Sequence, residues 1–369
     1  MTRILIACGA SGGHIFPAVA LGSSLKNKSK NIAMLFVGSR RYLDRRIFLR
    51  ENLKFKSLSS NKLPYRLSFS LFVVGAKFIF DVVKSIYIIL NFAPHAIVGF
   101  GGYVSFPILM VGRMMGIPII VHEQNVVPGR ANILLFKFAD KIAVSFEETM
   151  SSMPDSIRKK AVLTGNPIRK GMLKDNKALA LQNFGFDKDK FTILAIGGSQ
   201  GAHRLNRVFS ESIVTMKEET RGKIQIIHIA GEKDREKVAA VYNNFNVSNR
   251  VFSFIDSIDE AYSLADLVFT RSGAAALFEL AFYAKPMVLV PYPYAMSHQR
   301  ENALVFSRKG AAIYKEEKDL KAKELSSFIA ELISDREALK KMSESSRQLA
   351  RPHAADALAD VIIGICKKR

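Results

Sequence analysis

Short apolar segments, each followed by glycine or a polar turn and then by a helical pattern, recur along the whole chain. They lie at 3–8, 32–37, 54–58, 95–98, 118–122, 141–144 and 161–164, and again at 191–196, 224–229, 250–255, 267–270, 287–290 and 311–314. This alternation is typical of parallel sheets covered by helices. We therefore predict an α/β protein with two successive doubly wound domains, a size that 369 residues can support.

The net charge of +21 indicates an anionic partner, such as phosphorylated ligands, an acidic lipid surface or nucleic acid. Basic residues are concentrated between positions 40 and 84, where eleven of them face only three acidic residues. The two cysteines, Cys8 and Cys366, lie at opposite ends of the chain, which excludes a disulfide framework and a cysteine zinc site. The chain begins with a strand pattern rather than a signal peptide, so we expect a cytosolic protein.

Three glycine-rich loops follow predicted strands, at 9–14, 99–107 and 197–203. Glycines at a strand-to-helix turn let backbone N–H groups approach a phosphate. An NADP-dependent reductase is one alternative, with the basic turn at 39–41 accepting a 2′-phosphate. The first loop lacks the G-x-G-x-x-G spacing of dinucleotide-binding proteins, which argues against that alternative.

The stretch 271–279 also follows an apolar strand, and Ser272 is a favourable N-cap for the alanine-rich helix predicted after it. The first turn of such a helix attracts phosphate. Glu279 lies two turns further on, where its carboxylate can accept hydrogen bonds from a ribose diol.

Several polar side chains follow other predicted strands, where open parallel sheets bind ligands. His14 suits a general base, and the run 122–125 places four polar side chains together. Ile255 is expected at a strand end, where its side chain can form an apolar contact with a nucleotide base. His298 and Gln299 open a helix and can bind sugar hydroxyls.

Residues 67–92 are nearly all apolar, apart from a narrow stripe of Lys77, Asp81 and Lys84. The charges interrupt the segment before the ~20 residues that a membrane-spanning helix needs. Such a helix can pack in the core or lie on a membrane surface. The neighbouring basic cluster favours the membrane-surface interpretation, for which the candidate residues are Phe69, Leu71, Phe78 and Phe80.

In combination these segments resemble the MurG family of peptidoglycan N-acetylglucosaminyltransferases, which convert lipid I to lipid II. The matching motifs lie at 8–14, 99–105, 122–125, 165–169, 197–201, 271–274 with Glu279, and 298–302. The resemblance implies a GT-B fold, with two Rossmann-like domains facing across a cleft. It implies an acceptor- and membrane-binding domain at 1–165, a UDP-sugar-binding domain at 166–350 and a last helix, at 351–369, that crosses back.

The family's donor is UDP-N-acetylglucosamine, and its acceptor is lipid I at the cytoplasmic face of the inner membrane. The resemblance therefore implies a peripheral protein in contact with anionic lipids, with no nucleic-acid partner and no cofactor. Related lipid glycosyltransferases, and a basic membrane or nucleic-acid binder without catalysis, remain alternatives.

The family's site residues transfer by position. For the donor they are Ser199, Gly273 and Ala274 at the diphosphate, Arg169 at the nucleotide end, Ile255 at uracil, Glu279 at the ribose, and Asn125, His298 and Gln299 at the N-acetylglucosamine. Ser11, Gly12 and Gly13 would line the cleft, and Gly101, Gly102 and Tyr103 would hold the acceptor diphosphate. His14 is the preferred base and Glu123 the other candidate, and no metal is expected. Ala275 and Ala276 depart from the family's usual Leu-Thr, which removes a hydroxyl near the diphosphate.

Overall fold

The computed structural model describes residues 1–9, 11–59, 70–169, 171, 177–197, 202–293 and 298–367, with the backbone alone for 70–74. The chain divides into two compact units, one of Met1–Lys170 with Arg351–Arg369 and the other of Gly171–Ala350. The predicted boundary after residue 165 falls just before the end of the first segment.

The first unit is built on a parallel sheet. Its strands are β1 (Thr2–Ala7), β2 (Ile32–Ser39), β3 (Phe55–Leu58), β4 (Ala96–Gly99), β5 (Ile119–Glu123), β6 (Lys141–Val144) and β7 (Ala161–Leu163). They lie in the order β3-β2-β1-β4-β5-β6-β7. The order reverses direction between β1 and β4, which is where open α/β sheets bind ligands at the carboxyl ends of their strands.

Helices cover both faces of this sheet. They are α1 (Gly12–Lys28), α2 (Tyr42–Arg50), α3 (Ser70–Phe92), α4 (Ser105–Met114), α5 (Arg130–Phe138), α6 (Glu147–Ser151) and α7 (Asp155–Arg158). Ile4 and Ile6 of β1 pack with α1 and α2, whereas Leu5 and Ala7 pack with α3, α4 and α5. Successive strand side chains point to opposite faces, so a strand covered on both sides is apolar throughout.

The second unit repeats this plan. Its strands are β8 (Phe191–Ile196), β9 (Ile224–Ile229), β10 (Ser248–Phe252), β11 (Leu267–Thr270), β12 (Met287–Leu289) and β13 (Ala312–Tyr314), in the order β10-β9-β8-β11-β12-β13. Its helices are α8 (Lys177–Phe184), α9 (His203–Val214), α10 (Glu218–Gly222), α11 (Arg235–Asn244), α12 (Ile258–Leu264), α13 (Ala274–Phe282), α14 (His298–Arg308), α15 (Ala322–Ser334) and α16 (Arg336–Gln348), with a 3-10 turn at Glu317–Asp319. Every strand predicted from the sequence is found.

The predicted strand at 250–255 is displaced, because β10 covers Ser248–Phe252. Its partner β9 ends at Ile229, and the Ala230 N–H closes the ladder on the Phe252 carbonyl at 2.9 Å. Among the described residues, no strand pairs with the segment that follows Phe252. The prediction that Ile255 ends a strand is therefore wrong.

The last helix, α17 (Ala354–Lys367), belongs to the first unit. Leu358, Ala359 and Ile362 are buried in the core formed with α1. The Ser24 hydroxyl donates to Asp356 at 2.5 Å, and the Lys28 ammonium to Asp360 at 2.9 Å. These contacts fix the C-terminal segment on the domain in which the chain began.

The outer surface of α3 is mainly apolar, although Lys77 is also exposed. Phe78, Ile79, Phe80, Val83, Ile86, Tyr87 and Leu90 are all exposed, and we call them the α3 face. Asp81, expected in a polar stripe, is buried and accepts a hydrogen bond from the Ser59 N–H at 2.7 Å. No helix among the described residues is long and apolar enough to cross a membrane. Phe69 lies outside the described residues, as does the side chain of Leu71.

Candidate active site

The loop after β1 places His14 in the first turn of α1. Ser11 precedes that helix in an extended conformation, and its backbone carbonyl accepts from the N–H groups of His14 and Ile15 at 3.2 Å each. The imidazole Nδ1 lies 3.1 Å from the Gly9 carbonyl oxygen and 3.1 Å from the Ser11 hydroxyl. Gly12 and Gly13 continue the same turn, as the sequence predicted.

These contacts determine which nitrogen of His14 can act as a base. A carbonyl oxygen only accepts, so its contact with Nδ1 assigns the proton to Nδ1 and leaves the Nε2 lone pair available. Burial lowers the pKa of His14, although the Gly9 carbonyl and the charges of Glu123 and Asp44 oppose the shift. His14 is therefore neutral near pH 7, the state that a general base requires.

The loop after β4 lies beside this histidine because β4 neighbours β1 in the sheet. Gly101 and Gly102 have φ angles of +83° and +78°, which L side chains rarely adopt. A Cβ on Gly102 would lie 3.3 Å from the Gly9 carbonyl and 3.4 Å from His14 Nδ1. Only glycine fits here without displacing the histidine, and Tyr103 follows in the same turn.

Glu123 ends β5, and its carboxylate is saturated with hydrogen bonds. Oε1 accepts from the Asn125 backbone N–H at 2.9 Å and from its side-chain amide at 3.2 Å. Oε2 accepts from the Gly129 N–H at 3.0 Å and from the Asn132 amide at 2.7 Å. The residue is 1% exposed. A carboxylate so enclosed is suited to holding the 124–129 loop, and the geometry argues against Glu123 as the base.

The same network fixes the neighbouring polar residues. The Gln124 amide donates to the Phe100 carbonyl at 2.9 Å, which ties the loop after β5 to the loop after β4. His122 is fully buried, with Nε2 3.1 Å from the Gly165 carbonyl, and burial lowers its pKa to about 4. Asn125, predicted to contact sugar, is half-buried and held through Glu123.

Arg169 also lies in the first unit, beside the start of α1. Its guanidinium stacks on the Phe16 ring with 4.2 Å between the guanidinium carbon and the ring centre. This cation–π contact places the arginine next to the glycine turn that carries His14. Sequence reasoning gave no indication of the stacking, because it paired Arg169 only with a nucleotide.

In the second unit, the start of α13 differs from the prediction. Gly273 is the N-cap, and α13 begins at Ala274 with no side-chain cap. The Ser272 hydroxyl instead donates to the Gln299 carbonyl at 2.7 Å, because α14 lies within its reach. The prediction that Ser272 is the N-cap is therefore wrong, and Gly273, which takes that place, has no side-chain oxygen to offer the first N–H groups of α13.

Glu279 lies on α13 and is 8% exposed. The Tyr262 hydroxyl donates to its carboxylate at 3.1 Å, so the side chain is fixed within the unit rather than pointing to solvent. Ile255 is half-buried in the segment between β10 and α12.

The start of α14 adjoins the start of α13. The Gln299 side-chain oxygen accepts from the Tyr292 N–H at 2.9 Å, and the Asn302 amide donates to the Ser272 carbonyl at 3.1 Å. His298, the first residue of α14, is half-buried. The structure thus brings Gly273, Ala274, His298 and Gln299 to one edge of the second sheet.

One ion pair and one histidine–carboxylate hydrogen bond at this edge were not predicted from the sequence. The Arg271 guanidinium donates to Glu317 at 2.9 Å and to the Val290 and Pro291 carbonyls at 3.1 Å. His203 pairs with Asp234 at 2.8 Å. The partners are 46 and 31 residues apart, and no local pattern connects them. The position of His203 directly after a glycine loop was the one available indication.

Ser199 lies outside the described residues, although its loop is bounded on both sides. Before it, the Gly197 N–H donates to the Ile229 carbonyl at 3.0 Å. After it, α9 begins at His203. Among the described residues, no three His, Cys, Asp or Glu side chains are grouped as a metal site.

Comparison with known families matches both units. Residues 4–144 match the glycosyltransferase family 28 N-terminal domain, and residues 192–358 match the glycosyltransferase family 28 C-terminal domain.

Relatives that match over the full length of the chain share the same protein name. A Geobacter sulfurreducens protein is 36% identical over 99% of both chains, and a Halothermothrix orenii protein is 35% identical over 98% of both. Each is named UDP-N-acetylglucosamine–N-acetylmuramyl-(pentapeptide) pyrophosphoryl-undecaprenol N-acetylglucosamine transferase. The crystal structure of Acinetobacter baumannii MurG matches with a TM-score of 0.76 and 26% identity, over 99% of this chain and 100% of that one. The predicted GT-B fold is confirmed.

Proposed function

Because the chain belongs to glycosyltransferase family 28, we propose that it transfers N-acetylglucosamine from UDP-N-acetylglucosamine to lipid I, forming lipid II in peptidoglycan synthesis. The full-length match to transferases of that name carries this conclusion. The geometry supports it, since one unit holds a neutral histidine between glycine loops and the other holds an uncapped helix start.

The proposed chemistry is an inverting displacement. His14 Nε2 takes the proton from the 4-hydroxyl of the muramoyl sugar, and the oxygen forms a bond to the anomeric carbon. The bond from that carbon to the phosphate oxygen breaks, and its electron pair leaves with UDP. The Nδ1 contact with Gly9 supports this role, because it keeps the ring in the tautomer with a basic Nε2.

The donor is assigned to the second unit. The N–H groups at the start of α13, near Gly273 and Ala274, suit the diphosphate because they carry the positive end of the helix dipole and a glycine is the N-cap. Ser199 is proposed at the same diphosphate, and Ala275 and Ala276 leave this contact to backbone groups. Donor binding therefore depends on backbone geometry more than on hydroxyl side chains.

The remaining donor contacts follow from the family. Glu279, oriented by Tyr262, is proposed to accept from the ribose hydroxyls. Ile255 is proposed to face uracil, and Arg169 the nucleotide end. The Gln299 oxygen is engaged by Tyr292, so its amide nitrogen is the group left to donate to the sugar.

The acceptor and the rest of the sugar site are assigned to loops of the first unit. We propose that the Gly101–Gly102–Tyr103 turn holds the lipid diphosphate through backbone N–H groups. Ser11, Gly12 and Gly13 are proposed to contact the transferred sugar beside it. Asn125 contacts the transferred sugar, and Glu123 positions Asn125.

We propose that the α3 face docks on the cytoplasmic leaflet of the inner membrane, which makes the enzyme peripheral. On α3, Asp81 points inward, whereas the apolar residues of the α3 face are exposed, as is the basic Lys77. Arg40 lies over the Phe80 ring, with 6.0 Å between the guanidinium carbon and the ring centre, so basic charge borders the face. Apolar side chains with a cationic border suit anionic lipid headgroups.

Vesicle sedimentation tests this docking. The triple variant Ile79→Ser, Val83→Ser, Tyr87→Ser should no longer sediment with anionic vesicles. Its melting temperature should equal that of wild type, because all three side chains are exposed. The exposed Leu179→Ser of the second unit is a matched control. Wild-type sedimentation of the triple variant would contradict the assignment.

Calorimetric titration tests the donor assignment. UDP-N-acetylglucosamine should bind, and UDP-glucose should bind more weakly. NADPH binding alone would favour a reductase, and salt-sensitive RNA binding without nucleotide-sugar binding would favour a basic non-catalytic binder. Transfer to diacylglycerol but not to lipid I would indicate a related lipid glycosyltransferase.

A further inference from the structure

His203 forms an exposed pair with a buried carboxylate. Its Nδ1 lies 2.8 Å from Asp234 Oδ1, and the two side chains are 72% and 8% exposed. Since an ionised carboxylate only accepts, Nδ1 carries the proton. The opposite nitrogen, Nε2, is then the one that a ligand can reach.

Asp234 is itself held by a buried polar network. Its second oxygen accepts from the Asn206 amide at 2.8 Å, and that amide also donates to the Ala230 carbonyl at 2.7 Å. Asn206 Oδ1 lies 3.2 Å from His228 Nε2. Burial opposes ionisation of Asp234, but the hydrogen bonds from His203 and Asn206 outweigh it and lower its pKa.

The network also adjoins Gly197, the first residue of the glycine loop assigned to the diphosphate. A Cβ on Gly197 would lie 2.6 Å from Asn206 Oδ1 and 3.2 Å from the Ala202 N–H. The side chain that holds Asp234 is thus packed against the start of that loop. His203 itself begins α9, where the loop ends.

His203 lines a groove of about 950 Å³ at the carboxyl edge of the second sheet. Arg271, which begins the segment leading into α13, lines the same groove. The charged and titratable groups facing it are Arg204, Glu232, Lys233, Asp234, Lys237, Arg271, Tyr292, Glu316, Glu317 and Lys318. Arg271 neutralises Glu317. The remaining basic side chains, Arg204, Lys233, Lys237 and Lys318, outnumber the remaining acidic ones, Glu232, Asp234 and Glu316, so the groove has a cationic character.

We propose that His203, positioned by Asp234, binds the diphosphate of UDP-N-acetylglucosamine and stabilises it as it leaves. This rests on the proposed transferase function. Because Nδ1–H is engaged by Asp234, Nε2 can donate only when the ring is the imidazolium cation. As the bond to the anomeric carbon breaks, negative charge grows on the phosphate oxygen, and the Nε2–H hydrogen bond strengthens without transferring its proton.

The test is UDP-N-acetylglucosamine titration across pH 6 to 8, a range in which histidine changes charge and a diphosphate diester does not. Wild-type affinity should fall about tenfold as pH rises, the scale expected for one charged hydrogen bond. His203→Ala should bind weakly at every pH. His203→Arg should bind well at every pH because its charge is permanent.

Two further variants test the role of Asp234 and provide a control. Asp234→Asn should bind more weakly than wild type, since a neutral amide holds the His203 ring less firmly than a carboxylate does. His353→Ala, another exposed histidine, should match wild type. Equal affinity and the same pH profile for wild type and His203→Ala would overturn this inference. Absence of wild-type binding would instead overturn the proposed function.

Discussion

Replacing Glu123 distinguishes a structural carboxylate from a catalytic one. The side chain is buried and accepts four hydrogen bonds, from both the backbone and side chain of Asn125, from Gly129 and from Asn132. Each hydrogen bond to a charged group contributes about 1.5–3 kcal/mol, and in the variant water can replace the carboxylate at the half-buried donors Asn125 and Gly129. We therefore expect Glu123→Ala to lower the free energy of unfolding by about 3–5 kcal/mol.

Differential scanning calorimetry measures the effect. A unit of this size loses about 2–4 °C per kcal/mol, so the first unit should melt on the order of 10 °C lower. Glu147→Ala, an exposed glutamate in the same unit, is the control. Glu123→Gln should also lower the melting temperature, because an amide nitrogen then faces two N–H donors. An unchanged melting temperature with a large loss of turnover in Glu123→Gln would refute this reasoning and restore Glu123 as a base.

Two further predictions concern buried charge. Burial lowers the pKa of His122 to about 4 and of His228 to about 3, so both bind protons more readily when unfolded. Below about pH 6.5 the unfolded chain binds protons at these histidines and the folded chain does not, so the free energy of unfolding falls. The loss should reach about 3 kcal/mol for each histidine near pH 4.5. Urea unfolding between pH 7 and 4.5 should show this decline, and a flat profile would contradict it. Arg271→Met leaves Glu317 buried without its ion pair and should cost about 3–5 kcal/mol, part of which Glu317→Gln should restore in the double variant. A single variant as stable as wild type would show that the pair is dispensable.

The strands could be predicted from the sequence because buried parallel strands are apolar on both faces. Ile4, Leu5 and Ile6 are all fully buried, and such runs bounded by glycine have few other structural interpretations. The displaced β10 shows the limit, since its end is set by where β9 stops, and no local residue records that.

The candidate site was predictable in position but not in geometry. Glycine loops after strands located His14 and the start of α13. The sequence could not indicate that Ser272 bonds to α14 instead of capping α13, because that choice depends on a helix 27 residues away. Nor could it indicate that Asp81 points inward, since its hydrogen-bond partner is the backbone of Ser59, 22 residues away.

The most direct test of the central proposal is transfer of labelled N-acetylglucosamine from UDP-N-acetylglucosamine to a soluble lipid I analogue by wild type and His14→Ala. Wild type should add one sugar per acceptor and release UDP. His14→Ala should lower kcat about 10²–10⁴-fold while UDP-N-acetylglucosamine affinity persists, because only proton removal is lost. Absence of transfer by wild type, or undiminished kcat in His14→Ala, would contradict the proposed reaction or its base.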